Sequence, residues 1–286
     1  MEILHENSNF PKKVSLILGF FDGIHAGHQE VIQNTSNSKK VLITFSSSPA
    51  EFFGKDFSYI YTREKNYKLI EKLGVDYIYE RDFKNIAQLS NQEYLSDILK
   101  KFEPLSISTG FNHTFGANKQ GNSEYLHQNQ TPKGYKYFCI PPTKKNNEIV
   151  ISSKIKEFLS KGEIEKANLF LTRKFSIEST VIEGNKLGRT LGFPTANMKY
   201  PEKIIKIPYG VYKIRVFEKP AIMNWGVKPT IGSDEVLEVY IPNFERSLYG
   251  EKLQVELISK IRDEKKFNNL EELKRQIKKD VEECLK

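Results

Sequence analysis

The sequence predicts an α/β domain built on a parallel sheet, followed by a small antiparallel β-barrel that ends in a helix. Three observations carry this. Strand and helix signals alternate through the first half of the chain. After Ile140 the strands become short and are separated by Gly, Pro and Asn. The last segment is apolar along one face at helical spacing. A length of 286 residues suits two domains of ordinary size, and no internal repeat is visible.

The elements follow in order. Residues 14–18 read as a buried strand, residues 27–35 as a helix and residues 41–45 as a second strand. Residues 64–73 form a helix that Gly74 stops, and residues 76–79 form a short strand. Ser90 and Glu93 have capping-box spacing, which starts a helix running to about Lys101. Residues 105–108 and 135–140 complete the strands, and this β-α-β-α-β order predicts a parallel sheet covered by helices. Residues 141–147 read as a loop, and residues 152–160 and 163–171 as two short helices joined at Gly162. Strands are expected at 176–182, 210–217, 221–227, 237–242 and 253–259 with no long helix between them, which argues a small barrel. In the final helix, 269–285, Leu270, Leu273, Ile277, Val281 and Cys284 share one face, with Asn268 or Asn269 as cap and Glu271 and Glu272 in the first turn. The boundary falls near Thr172, giving domains 1–172 and 173–286.

Composition narrows the class. With 38% hydrophobic and 28% charged residues the chain has enough apolar material for cores. No apolar run approaches the ~18 residues of a membrane span, and the first ten residues lack the apolar centre of a signal peptide, so the expected location is the cytoplasm. The two cysteines, Cys139 and Cys284, have neither metal-ligand nor disulfide spacing, and Cys139 is expected as a small core residue of its strand. A net charge of +8 admits nucleic acid or anionic small ligands. The lysines are scattered and no RNP-type motif, zinc finger or basic arm is present, which favours the small ligands.

Two segments carry chemistry. Residues 188–197 hold Gly188, Gly192, Pro194, Thr195 and Asn197 in a short apolar frame. The glycines allow positive φ or close backbone approach, and Pro194 pushes Phe193 to an extended conformation. Thr195 and Asn197 then point to one side, where a hydroxyl and an amide oxygen suit a hard cation and its phosphate. A tight turn entering a strand, with both side chains bonded to local backbone, explains the same residues. In the first half, the strand at 14–18 leads into Gly19, Phe20, Phe21, Asp22, Gly23, Ile24, His25, Ala26, Gly27 and His28. Gly19 and Gly23 let backbone amides approach a ligand at the carboxyl end of a strand, and the two histidines share one side of a helix's first turn, which favours anions. No third ligand supports zinc.

Both segments resemble parts of one family, the bifunctional riboflavin kinase/FMN adenylyltransferases, or bacterial FAD synthetases. Residues 188–197 match, without a gap, the G-R-x-L-G-F-P-T-A-N signature of riboflavin kinases, and residues 19–28 match the G-x-F-D-G-I-H-x-G-H form of the nucleotidyltransferase half. Gly210-Val211-Tyr212, the loop from Asn224 to Thr230, Leu248-Tyr249-Gly250 and the run from Arg262 to Phe267 also follow the family's order. The resemblance implies a Rossmann-like adenylyltransferase domain followed by a riboflavin kinase barrel. It implies two ATP-dependent reactions with Mg, riboflavin to FMN and then FMN to FAD with release of pyrophosphate.

The resemblance also implies roles for single residues. Thr195 and Asn197 take the metal, and Glu238 is the kinase base. Pattern alone favours reading Glu238 as a solvent-facing side chain of a half-buried strand, and it is the resemblance that makes it the base. His25 and His28 serve adenylyl transfer. Phosphate and ATP contacts fall on Gly19, Phe20, Phe21, Asp22, Gly23, Ser152, Ser153, Lys156, Gly184, Gly188 and Arg189, and flavin contacts on Asn112, Arg262 and Phe267. Trp225 is expected in the core or a loop rather than as a flavin stacker. Some motifs depart from the family. Its T-F-D-P-H-P stretch is Thr44-Phe45-Ser46-Ser47-Ser48-Pro49 here, its G-x-[DN]-F-x-F-G has His113 for an aromatic, and its S-S-T-x-I-R has Ile151 for a Ser and Lys156 for the Arg. Two other functions remain open: a riboflavin kinase with a weak or silent N-terminal site, and a flavin-sensing regulator that binds RNA through its basic surface.

Overall fold

The computed structural model describes residues 1–184, 187–227 and 235–285. The chain divides into two compact units, Met1–Ser152 and Ser153–Lys286.

The first unit is a parallel six-stranded sheet. Its elements are β1 (Glu2–Leu4), β2 (Ser15–Leu18), α1 (Ala26–Gln33), β3 (Lys40–Phe45), α2 (Pro49–Phe52), α3 (Arg63–Lys72), β4 (Tyr77–Arg81), α4 (Asn91–Phe102), β5 (Ser106–Gly110), α5 (Ser123–Lys133) and β6 (Lys136–Ile140), then a small hairpin of β7 (Lys144–Lys145) and β8 (Glu148–Ile149). The strand order is β1-β4-β3-β2-β5-β6. The chain builds outward from β2 through β3 to β4, then returns to lay β5 on the other flank of β2. The gap between the carboxyl ends of β2 and β5 is therefore the point where the topology reverses, and open α/β sheets bind ligands there.

Alternation along each strand feeds two cores. Leu16 and Leu18, with Val41, Ile43 and Tyr79, pack with Ile98 and Phe102 of α4 and Leu126 of α5. Ile17, Leu42 and Ile78 pack on the opposite face with Val31 and Ile32 of α1 and Ile70 of α3. Burial on both faces explains why these strands read as continuous apolar runs. The expected capping box starts α4, where the Ser90 hydroxyl accepts from Glu93 N at 3.2 Å and Ser90 N donates to the Glu93 carboxylate at 2.8 Å.

The second unit contains α6 (Ser152–Ser160, its first residue counted with the first unit), α7 (Ile164–Leu171), β9 (Phe175–Ile182), α8 (Leu187–Thr190), β10 (Thr195–Met198), β11 (Gly210–Val216), β12 (Lys219–Val227), β13 (Glu235–Tyr240), β14 (Lys252–Arg262) and α9 (Leu270–Leu285). The strands close into an antiparallel barrel in the order β10-β13-β12-β11-β14-β9, with β9 and β10 sealing the ring. Asn168 of α7 ties the helix to the barrel, donating to the Leu257 carbonyl at 3.0 Å and accepting from Phe175 N at 2.6 Å. Helices α6 and α7 precede Thr172 in sequence, whereas the compact division falls at Ser152. Trp225 is fully buried, its indole N–H on the Ile207 carbonyl at 3.0 Å.

Several expectations need correction. Cys139 is exposed, because β6 is an edge strand and Cys139 lies near its open end. Residues 141–147 are not plain loop. Asn146 and Asn147 adopt positive φ and turn the β7–β8 hairpin. The polar start of the chain supplies β1, which pairs with β4. Leu270 is 56% exposed at the first residue of α9, while Asn269 does cap that helix by accepting from Glu272 N at 2.9 Å.

Candidate active sites

In the first unit, β2 delivers the chain into a glycine turn and then into α1, at the switch point between β2 and β5. Gly23 has φ +89, and a Cβ there would meet Ile60 Cδ1 at 2.7 Å, so only glycine fits. The Gly23 N–H donates to Asn66 Oδ1 at 3.1 Å. Asp22 is 2% exposed, and its Oδ1 accepts from Ile60 N at 2.9 Å, so the carboxylate pins the loop of residues 57–61 against the turn. Phe21 is buried edge-on against His28, and Phe20 packs on Phe57. Gly19 leaves room for the Phe21 ring.

His25 is the N-cap of α1 and accepts from His28 N at 3.3 Å through Nδ1. The neutral His25 ring therefore carries its proton on Nε2. The two imidazoles stack with centroids 3.6 Å apart, and Gly27 lets the helix start close to them. Two imidazoles and a helix N-terminus thus converge on one place, an arrangement that favours anions.

The Ser152 hydroxyl donates to the Asp22 carbonyl at 3.0 Å, a bond within the first unit. Ser153 and Lys156 follow on α6, three residues apart on one face. Asn112 is exposed two residues beyond β5. His113 beside it stacks on Phe115, and burial pushes its imidazole down to about 4. The stretch from Ser46 to Pro49 has its own structural use, since Ser48 caps α2 in a capping box with Glu51.

In the second unit the barrel register builds the site. Asn197 of β10 is paired directly with Glu238 of β13, and Glu238 on its other side with Asn224 of β12. Directly paired residues share a face of the sheet, so two amides bracket one carboxylate. Asn224 Nδ2 lies 3.5 Å from Glu238 Oε2. Glu238 is half-buried between the buried Leu237 and Val239, the alternation expected from the sequence. Thr195, two residues before Asn197, lies on the same face.

Glycines bring the preceding turn down onto these side chains. A Cβ at Gly184 would collide with the Asn197 amide, and one at Gly188 with the Phe193 carbonyl, with Thr195 Oγ1 3.2 Å away. Phe193 N closes the turn on the Gly188 carbonyl at 2.8 Å, Gly192 takes φ +88, and Arg189 is exposed on α8. Asn185 and Lys186 of this loop, and Lys228, Pro229 and Thr230 of the loop beyond Asn224, lie outside the described residues.

Arg262 ends β14. Its guanidinium is committed to Asp280 of α9 and stands over the Phe267 ring at 5.8 Å. Sequence reasoning assigned no role to Asn224 or Asp280. Asn224 lay in a recognised motif but shows its place only through register. Asp280 had a signal, an acidic residue at helical spacing on the apolar face of Ile277 and Cys284.

Residues 7–154 match the family model described as FAD synthetase and residues 171–286 the one described as riboflavin kinase. A bifunctional riboflavin kinase/FMN adenylyltransferase of Buchnera aphidicola subsp. Schizaphis graminum is 35% identical, over 98% of this chain and 95% of its own. The chain belongs to the bifunctional riboflavin kinase/FMN adenylyltransferase family. Members from Escherichia coli K12 and Bacillus subtilis 168 are 31% and 30% identical over 97% and 96% of this chain, and 94% and 92% of their own. The fold also matches a solved structure described as a macrolide-efflux protein from Streptococcus pneumoniae, with TM-score 0.88 and 26% identity over 98% of this chain and 97% of that one. Among the described residues no helix is long and apolar enough to cross a membrane.

Proposed function

We propose that the barrel unit phosphorylates riboflavin to FMN and that the α/β unit adenylylates FMN to FAD, each with ATP. The observation that carries this reading is the row Asn197–Glu238–Asn224, with Thr195 beside it under a glycine turn. Phosphoryl transfer needs a proton acceptor next to donors for phosphate and a cation, and this row holds both.

The ribityl hydroxyl attacks the γ-phosphorus of ATP, its proton passes to the Glu238 carboxylate, and ADP leaves. Asn197 and Asn224 limit the carboxylate's rotation. Gly184 and Gly188 let backbone N–H groups close on the phosphates. Thr195 and Asn197 offer hard oxygens, and among the described residues no group of three His, Cys, Asp or Glu side chains could hold a metal. A cation here would be shared between one or two protein oxygens and the nucleotide phosphates, which fits Mg. When bound, Mg would neutralise charge on the transferring phosphate.

In the α/β unit an FMN phosphate oxygen attacks the α-phosphorus of ATP and pyrophosphate leaves. No proton has to be removed from the nucleophile and no covalent enzyme intermediate is needed. His25 Nε2–H, His28 and the α1 N-terminus hold the negative charge that builds during transfer. The partners in this reading are ATP, riboflavin, FMN and FAD, and its setting is the cytoplasm.

Purified protein incubated with riboflavin, ATP and Mg, and followed by chromatography, should form FMN first and FAD after it. FMN without FAD would limit the chain to its kinase half. Neither product, with flavin still bound, would favour a regulator.

A further inference from the structure

We propose that Asp280 is a positioning residue for riboflavin in the kinase site, acting through Arg262; the inference rests on the kinase reading above. Asp280 lies on α9 and is 3% exposed. Arg262 Nε donates to both of its carboxylate oxygens, at 3.1 and 3.0 Å, and Nη2 donates to Oδ2 at 2.7 Å. Gln276 Nε2 donates to Oδ1 at 2.8 Å, which fixes the carboxylate from its own helix. Nη1 of Arg262 donates to the Asp263 carbonyl at 3.0 Å. A fork held on one edge by a buried carboxylate, and bonded on Nη1 to its own loop, has little freedom left.

Packing alone does not call for this pair. The apolar face of α9 carries half-buried Ile277 and Val281 and buried Cys284, where an apolar residue at position 280 would bury well, and a buried ion pair is weak evidence for stability. What the pair does is geometric. Arg262 is paired with Val211, Val211 with Asn224, and Asn224 with Glu238. Three ladder steps, about 14 Å of arc at the usual strand spacing, lead from Arg262 to the base along one row around the closed barrel. The loop leaving Arg262 folds back towards that row: the Glu264 carboxylate rests on Gly226, where a Cβ would collide with it. Phe267 lies under the guanidinium. The Arg262 plane and the Phe267 ring thus stand at one end of a row whose other end is the proton acceptor. A flavin reaching Glu238 with its ribityl hydroxyl would present its ring system to the Arg262 end. Asp280 fixes the orientation of that end without touching the substrate.

The test uses full-length Asp280→Asn, Arg262→Gln and the double variant. For each, the riboflavin KM, ATP KM and kcat of FMN formation are measured, with riboflavin affinity by flavin fluorescence titration. Asp280→Asn should raise the riboflavin KM at least about tenfold and leave the ATP KM unchanged. Added to Arg262→Gln, it should change the riboflavin KM no further, because it acts through that residue. Asp280→Glu keeps the charge should the neutral variant fold poorly. It should give an intermediate riboflavin KM at an unchanged melting temperature. An unaltered riboflavin KM, a fall in kcat alone, or effects that add in the double variant would overturn the proposal. A wild-type protein that neither binds nor phosphorylates riboflavin would instead remove the kinase reading itself.

Discussion

His113 shows how one side chain reports its surroundings. It takes a position where the family has an aromatic, and it stacks on Phe115 as an aromatic would. Burial holds its imidazole at about 4, against 6.5 in an unfolded chain. Between these values the unfolded chain takes up a proton that the native state refuses. Its contribution to stability is therefore full above about pH 6.5 and falls as the pH drops towards 4. From pH 7 to pH 5 this one group should cost about 2 kcal/mol. His113→Phe should remove that loss while keeping the ring contact. Urea midpoints of both proteins at pH 7 and pH 5 measure it, and an equal drop in the two would show that another group carries the acid sensitivity.

Among the elements, the turn from α8 into β10 matters most to the proposed kinase site, because Gly188 is placed there by collision and Gly192 by its positive φ. A Cβ at Gly188 would meet a backbone carbonyl, that of Phe193, which cannot swing aside as a side chain can. Gly188→Ala should therefore push Thr195 and the phosphate turn apart and slow FMN formation between about tenfold and a hundredfold. Conversion of supplied FMN to FAD should be unchanged; a loss of both would mean that the substitution disrupts more than the turn. This turn was legible in the sequence because Gly, Pro, Thr and Asn at fixed spacing admit few backbones. The sheet strands were legible as continuous apolar runs, and most barrel strands as short segments set off by Gly, Pro and Asn. What was not legible had no local signal. β1 is three residues long and exists through its pairing with β4. α5 buries Leu126 alone and has no apolar stripe to read. The bracketing of Glu238 by Asn197 and Asn224 depends on strand register, which brings together residues from positions 197, 224 and 238.

For the whole molecule, the proposed reading gives the two reactions different residues, His25 and His28 in the first unit and Glu238 in the second, and this has a consequence in solution. Glu238→Gln removes the proton acceptor of the kinase and should lower FMN formation by about 10²–10⁴-fold while sparing FAD formation from FMN. His28→Ala removes one of the two stacked imidazoles and should abolish FAD formation alone. Neither variant by itself should turn riboflavin into FAD at a useful rate. Mixed, the two should do so if FMN leaves one chain and enters another, since each chain keeps the site the other lacks. FMN should then accumulate before FAD appears, and the lag should shorten as the concentration of Glu238→Gln protein rises, because capture of free FMN is bimolecular. If the mixture makes FMN but no FAD, while the Glu238→Gln protein alone still converts added FMN, then FMN made by the kinase does not become available to other chains. If either single variant loses both reactions, the assignment of one reaction to each unit is wrong.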